Sequence, residues 1–233
     1  MTYLSKILLN PLRSGAQHLL GSPRRVHAAV EGALPPSDHS PKRLLWRMEQ
    51  QRHAMELLIL SPDWPNLDHI VDQAGWPGNE AGTPRTADMS PLFNQLATGR
   101  QFRFRVTANP SYSTKKLANP SPAHQRQLAK GRSVRVGHRT VAHQHAWFCE
   151  RATGSKHQWG FTVGENAESA TVQVVGRGRE AFRHDDGKVT FVKATYEGIL
   201  TVTHPELLRQ TLERGLGRGR AYGCGLLTLA PVN

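Results

Sequence analysis

His27 is the residue in this chain best placed to move a proton. It follows Ser22-Pro23-Arg24-Arg25-Val26, a run that opens a helix. Ser22 suits the N-cap and Pro23 the first helical position. Val26, Ala29, Val30 and Ala33 recur at helical spacing and mark the buried stripe. His27 then lies at the rim of that stripe, with Arg24 one turn before it and Glu31 one turn after. A helix N-terminus presents free N–H groups and a positive dipole end to an anion. Those features, with Arg24 and Arg25 alongside, disfavour a protonated imidazole, as a general base requires. A phosphodiester that carries its own nucleophile fits such a site, and RNA carries one in its 2′-hydroxyl. Removing that proton drives attack on the adjacent phosphorus and yields a 2′,3′-cyclic phosphate and a 5′-hydroxyl. Nearby cations stabilise the phosphorane, so the scheme needs neither metal nor cofactor.

The end of the chain is the second constellation. Between Gly215 and Gly225 lie five glycines with Arg218 and Arg220, and an apolar run follows them. Glycine lets backbone approach a ligand closely, and a loop of N–H groups beside arginine suits a polyanion. The spacing is neither G-x-G-x-x-G before a helix nor G-x-x-x-x-G-K-[ST], so a dinucleotide or nucleoside triphosphate is not expected. Gly217, Arg218, Gly219, Arg220, Gly223 and Gly225 are candidates for contact with a nucleic-acid backbone.

Further basic residues extend this pattern. Gly176 to His184 reads as a basic turn between two strands, with Arg177, Arg179 and Arg183 available for a phosphate backbone. A-form RNA has a narrow major groove, so shape and phosphates should dominate recognition. Arg103 and Arg105 lie on the polar face of a strand and could lengthen the basic track. His138, His143, His145, Cys149 and His157 lack a C-x-x-C pair or H-E-x-x-H, and no metal site is expected. Cys224 sits in the glycine loop without a partner motif for nucleophilic chemistry.

Composition agrees with an anionic partner. The 233 residues carry 30 Lys and Arg against 18 acids, a formal charge of +12. Nucleic acid and anionic membrane are the candidates. No apolar run approaches a membrane span, and no basic amphipathic helix with an aromatic face is visible. The N-terminus lacks a signal-peptide layout and only two cysteines are present, so a reduced cytoplasmic protein is expected.

The elements that must position these groups can be read coarsely. Tyr3–Asn10 is a strand, Ser14–Leu20 and the His27 segment are helices, and Leu44–Met48 and Met55–Leu60 are strands. Leu67–Gln73 is a helix, and Gln101–Ala108 is a strand with Phe102, Phe104, Val106 and Ala108 on one face. That order is the split βαβ, or ferredoxin-like, unit over residues 1–109. Residues 110–131 read as a basic linker or loop. A second such unit is expected over 132–233. It would contain strands at Ser133–Val136, Gln158–Val163, Thr171–Val175, Lys188–Thr203 and Leu226–Leu229, with helices at Val141–Arg151 and Pro205–Arg214. Thr203 and Glu206 are spaced as a capping box for the last helix. The fold class is α+β, with two tandem ferredoxin-like domains.

These segments together resemble the CasE family of CRISPR-associated endoribonucleases from type I-E systems. The similarity runs nearly end to end. It rests on Tyr3-Leu4-Ser5-Lys6, Leu8-Leu9-Asn10, the His27 helix, Leu44-Leu45-Trp46-Arg47, and Phe102-Arg103-Phe104-Arg105 with Ala108-Asn109-Pro110. Tyr196-Glu197-Gly198 with Leu200, and Gly223-Cys224-Gly225-Leu226-Leu227 with Leu229-Ala230-Pro231, complete it. The resemblance implies two RAMP-type ferredoxin-like domains and metal-independent cleavage of precursor CRISPR RNA at the base of each repeat hairpin. It also implies retention of the mature crRNA within the Cascade complex, with its other subunits as partners. His27 matches the family's catalytic histidine, and the segment bearing Arg177, Arg179 and Arg183 matches the stem grip. Some family members carry a tyrosine three residues before the histidine and a lysine shortly after it. Here Arg24 takes the first position, and Glu31 and Gly32 occupy the second area. Arg24 is therefore the expected phosphate-stabilising group. The competing readings are a RAMP-type subunit that binds guide RNA without cutting it and a basic structural RNA-binding protein.

Overall fold

The computed structural model describes residues 1–35, 44–153, 159–165, 168–184 and 187–232. Strand β1 (Tyr3–Leu9) is followed by helices α1 (Ser14–Leu20) and α2 (Pro23–Glu31). Strands β2 (Leu45–Gln50) and β3 (Met55–Ser61), helix α3 (Asp68–Ala74) and strand β4 (Arg85–Asp88) complete the first unit. Its antiparallel sheet is ordered β2-β3-β1-β4, the ferredoxin-like arrangement. One sheet face presents Ile7, Leu9, Trp46, Leu57 and Ile59 to Val26, Val30 and Ile70 of the helices. The opposite face carries Leu45, Leu58 and Leu60, which pack with Leu226 from the far end of the chain. Burial on both faces explains why Met55–Leu60 is an unbroken apolar run rather than an alternating one.

The short helix α4 (Ser90–Phe93) leads into β5 (Gln101–Ala108). Strand β6 (Ser111–Thr114), helix α5 (Pro122–Ala129) and strand β7 (Val134–Gly137) come next, then helix α6 (Val141–Ala152) and the two-residue β8 (Phe161–Thr162). A long hairpin of β9 (Val172–His184) and β10 (Gly187–Val202) precedes helix α7 (Pro205–Arg214) and strand β11 (Leu227–Pro231). The second sheet runs β11-β5-β10, with β9 and β8 both paired to β10. The path β11-β5-β10-β9 repeats the strand order of the first unit. Phe102, Phe104 and Val106 of β5 pack on Phe148 of α6 and on Leu208 and Leu212 of α7. The Phe104 and Phe148 rings stack with centroids 5.5 Å apart.

Several expectations are corrected. Gln101–Ala108 does not close the first unit; it pairs with β10 and β11 and opens the second. The strand that closes the first sheet is β4, which pairs with β1 from Lys6↔Arg85 to Tyr3↔Asp88. The 1–109 unit thus gives its last expected strand to the 132–233 unit. Residues 110–131 are more than a linker, since they hold β6 and α5. Ser121 caps α5 by accepting a hydrogen bond from the His124 N–H. Ser133–Val136 lies outside the main sheet, where Val134–Gly137 pairs with β6. Of the expected strand at Gln158–Val163, Gln158 lies outside the described residues and Phe161–Thr162 forms β8. The basic turn at Gly176–His184 is strand, because β9 continues through it in register with β10. The capping box is also absent. Pro205 takes the first helical position, so His204 becomes the N-cap, and Glu206 stands one residue too early to reach back.

Candidate nucleic-acid interface

Helix α2 begins as expected, with Ser22 extended at the N-cap and Pro23 first, although the Ser22 side chain makes no capping bond. Val26 and Val30 are buried, and His27 sits at the rim with its side chain 27% exposed. Its Nε2 lies 3.3 Å from Glu31 Oε1. Its Nδ1 is buried and has no hydrogen-bond partner among the described residues. The carboxylate therefore selects the Nε2–H tautomer, which leaves the ring's lone pair on the buried nitrogen. Arg24 is exposed and makes no hydrogen bond or ion pair among the described residues. Arg25 is turned away, donating to the His18 carbonyl at 3.0 Å.

Helix α2 packs against the Arg220–Tyr222 turn of the glycine loop. Beside it an interdomain cleft of about 670 Å³ opens between Pro23 and Val26 of α2, Trp46 of β2, and the Gly176–Gly178 stretch of β9. His27 lies on the helix that forms one wall but does not line the cleft. Arg177 lines the opposite wall and donates to the Arg139 carbonyl. Arg179 is exposed on the same strand. Arg183 is paired in register with Lys188, and its side chain lies outside the described residues.

The glycine loop is a wedge between the two units. All five of its glycines, Gly215, Gly217, Gly219, Gly223 and Gly225, have positive φ. Three of them are also places where a neighbouring group comes too close for a side chain. A Cβ on Gly223 would lie 2.6 Å from the Trp46 ring, one on Gly215 2.7 Å from Leu45, and one on Gly225 2.6 Å from the Leu216 carbonyl. The N–H groups of Leu216, Tyr222, Gly223, Cys224 and Gly225 bond to backbone carbonyls, Gly225 to Thr107 at 2.7 Å. These N–H groups do not offer the free anion cradle expected of them, because the loop spends them on holding its own fold and β5. The loop's cationic side chains, Arg218 and Arg220, line a second cavity.

Arg103 remains exposed on β5, but Arg105 is committed elsewhere. Its guanidinium pairs with Glu49, at 3.1 Å, and with Glu197. Beside it is Arg47, 2% exposed. Arg47 Nε donates to Glu49 at 2.6 Å, Nη1 to the carbonyls of Arg105 at 2.9 Å and Leu226 at 2.7 Å, and Nη2 to Thr228 at 2.9 Å. Burial lowers the Arg47 guanidinium's proton affinity, and the Glu49 carboxylate opposes that. One strand of the first unit is thereby tied to two strands of the second. Residue-by-residue reading missed this clip; Glu49 two residues on, hence on the same strand face, was the available signal.

Cys224 is fully buried, and burial pushes its thiol up to about 12, which removes it as a nucleophile at neutral pH. His145 and Cys149 do share a face of α6, with Sγ 3.7 Å from the imidazole nitrogens. Burial raises the Cys149 thiol too. His157 lies outside the described residues, and no group of three metal-ligating side chains is found among those described.

Residues 2–231 match the CRISPR-associated protein family. The chain belongs to that family. It is 31% identical over 241 residues to the CRISPR-associated endoribonuclease Cse3 of Thermus thermophilus, covering 98% of this chain and all of that protein. It is 28% identical over 140 residues to the Cascade subunit CasE of Escherichia coli K12, covering 59% of this chain and 62% of that protein. Thermus thermophilus Cse3 bound to an RNA representing a pre-cleavage complex superimposes with a TM-score of 0.72 at 28% identity, over 99% of both chains. In this CRISPR-associated protein no helix among the described residues is long and apolar enough to cross a membrane.

Proposed function

We propose that this protein is an endoribonuclease that cleaves precursor CRISPR RNA within its repeat hairpins. It works in the cytoplasm without a metal cofactor and remains on the mature crRNA as a Cascade subunit. The observation that carries this reading is the packing of the His27 helix on the glycine-loop turn beside a cleft walled by β9. Its similarity to a Cse3 named an endoribonuclease and solved with RNA, and to a CasE named a Cascade subunit, supports it.

The reaction uses the RNA's own 2′-hydroxyl. Once Glu31 lets go and the ring proton moves to Nδ1, His27 Nε2 takes the hydroxyl proton, O2′ bonds to the adjacent phosphorus, the P–O5′ bond breaks, and the departing O5′ takes up a proton. The products are a 2′,3′-cyclic phosphate and a 5′-hydroxyl. Base catalysis of this kind is worth about 10²–10⁴-fold. Nε2 can act only when Glu31 releases it. Glu31 is exposed, and phosphates arriving at α2 repel its carboxylate, so binding of RNA frees the base. Arg24, one turn earlier and exposed, neutralises charge on the phosphorane. Arg177, Arg179 and Arg183 on β9 grip the stem, and Arg103 extends that surface.

The test is to incubate the protein with the repeat hairpin of its own array in EDTA and resolve the products. Cleavage confined to the hairpin, ending in a 2′,3′-cyclic phosphate and lost in His27→Ala, is expected. Tight binding without cleavage would assign the protein to the guide-binding class.

A further inference from the structure

A second cavity, of about 510 Å³, opens between α6 and α7 of the second unit and is roofed by the glycine loop. Five arginines line it: Arg135, Arg151, Arg214, Arg218 and Arg220. No carboxylate is among the described residues that do so. Three of the five, Arg135, Arg214 and Arg218, make no hydrogen bond or ion pair among the described residues. The other two are held in place. Arg151 stacks 4.5 Å above the Trp147 ring and donates to the Trp147 carbonyl, and Arg220 donates to the Gly217 carbonyl at 3.1 Å. Partial shielding from water lowers the proton affinity of Arg135, and the Arg218 charge adds to that effect. Like charges gathered in one concave site are an arrangement that an anion relieves.

The occupant follows from where the site lies. The glycine loop has a cavity on each side: Gly217 and Arg218 border this one, and Gly223 borders the interdomain cleft. The turn between them, Arg220–Tyr222, is the segment that packs on the His27 helix. A strand leaving the catalytic helix therefore meets the arginine cavity on crossing that turn. Asn109, Ser111 and Gln210 add hydrogen-bonding groups for ribose or base edges. We propose that this cavity binds the unpaired RNA segment that continues past the base of the hairpin, holding its phosphates on Arg135, Arg151 and Arg218. The proposal rests on the RNA-processing reading above. It adds a specificity site for single-stranded flank, distinct from the stem grip on β9 and from His27.

The experiment uses the intact protein and RNAs made uncleavable by a 2′-deoxy nucleotide at the scissile position. Three RNAs are compared by fluorescence anisotropy: the hairpin alone, and the hairpin extended by six unpaired nucleotides on its 5′ or on its 3′ side. One extension is expected to tighten binding about fivefold to tenfold, and Arg135→Ala with Arg218→Ala to erase that gain. Losing two single-strand phosphate contacts should also lower the salt slope by about 1.4. Both residues are exposed, so the thermal midpoint should not change. If neither extension helps, or if the gain survives the double variant, the proposal is wrong. If AMP alone binds at these arginines while the extensions add nothing, the cavity serves a free nucleotide and the proposal also falls. Failure of the underlying reading looks different, because the unmodified hairpin would then be neither preferred nor cut.

Discussion

Replacing Arg47 by methionine should separate the two units energetically. Arg47 is buried and spends its guanidinium on Glu49, on the Arg105 and Leu226 carbonyls and on Thr228. Methionine fills much of the volume but leaves Glu49, only 14% exposed, with Arg105 alone, and leaves the Leu226 carbonyl without this donor. Breaking a buried pair by removing one partner costs about 3–5 kcal/mol. Because Arg105 still faces Glu49, the lower half of that range is expected. For a chain of this size each kcal/mol moves the midpoint by about 2–4 °C, so a fall of roughly 6–16 °C follows. The assay is urea and thermal unfolding followed by tryptophan fluorescence, which Trp46 makes sensitive to this junction. Arg47→Lys should fall between wild type and Arg47→Met, since it keeps the charge but cannot serve four acceptors in one plane. In a Glu49→Gln background the Arg47→Met loss should shrink, because the two residues share one network. A loss under about 1 kcal/mol for Arg47→Met would refute the reasoning.

Other outcomes follow from the same geometry. His27→Ala should lower single-turnover cleavage by about 10²–10⁴-fold while leaving hairpin affinity within about twofold, as measured by filter binding. Glu31→Ala should cleave at least as fast as wild type, because it removes the group that occupies Nε2; a large loss would show Glu31 to be part of the catalytic machinery. Gly223→Ala should destabilise by about 1–2 kcal/mol for its left-handed φ alone, with more from the Trp46 contact. Gly178→Ala, whose Cβ meets nothing within 4 Å, should be near neutral in the same unfolding assay. Cys224 is held protonated in the folded state up to about 12 against an ordinary 9.0. The unfolded chain therefore loses that proton first as pH rises, and stability should decline from pH 9.0 toward 12. Cys224→Ala should flatten that part of the urea-midpoint profile; an unchanged slope would place the titration elsewhere.

Much of the fold was legible because each element carries its own pattern. The alternation in Gln101–Ala108 marks a strand with one buried face, and β5 is that strand. Alternation says which way side chains point but not which strand lies alongside, so the pattern alone assigns β5 to the wrong unit. The place expected for it in the first sheet is taken by β4, whose residues are largely exposed and which joins β1 through the backbone ladder and one Ser5–Thr86 hydroxyl contact rather than through an apolar face. The glycine loop was legible as a place of close approach. Trp46 and Leu45 are among the groups that approach it closely, and no local pattern distinguishes a packing partner of that kind from a ligand. Arg47 and Arg105 illustrate a further limit. An arginine in a strand reads as solvent-facing, and only the meeting of two sheets turns it into an internal clip. His27, by contrast, was legible because a proline, a cap position and a periodic stripe fix both its helix and its place on it.

The clip formed by Arg47 also sets a schedule for biosynthesis. Its partners Leu226 and Thr228 are made 179 and 181 residues after it. At about 5–20 residues per second, a ribosome takes roughly 10–40 s to make that stretch. Throughout that interval Leu45, Leu58 and Leu60 of the newborn first unit lack Leu226, and only Leu4, Met89, Leu92 and Phe93 are available to cover them. Leu226 and Thr228 are the residues that complete the seal. A message truncated just before codon 226 would therefore yield a chain with every element of its first unit but an apolar face permanently short of part of its cover, a substrate for chaperones and proteases rather than a shorter enzyme.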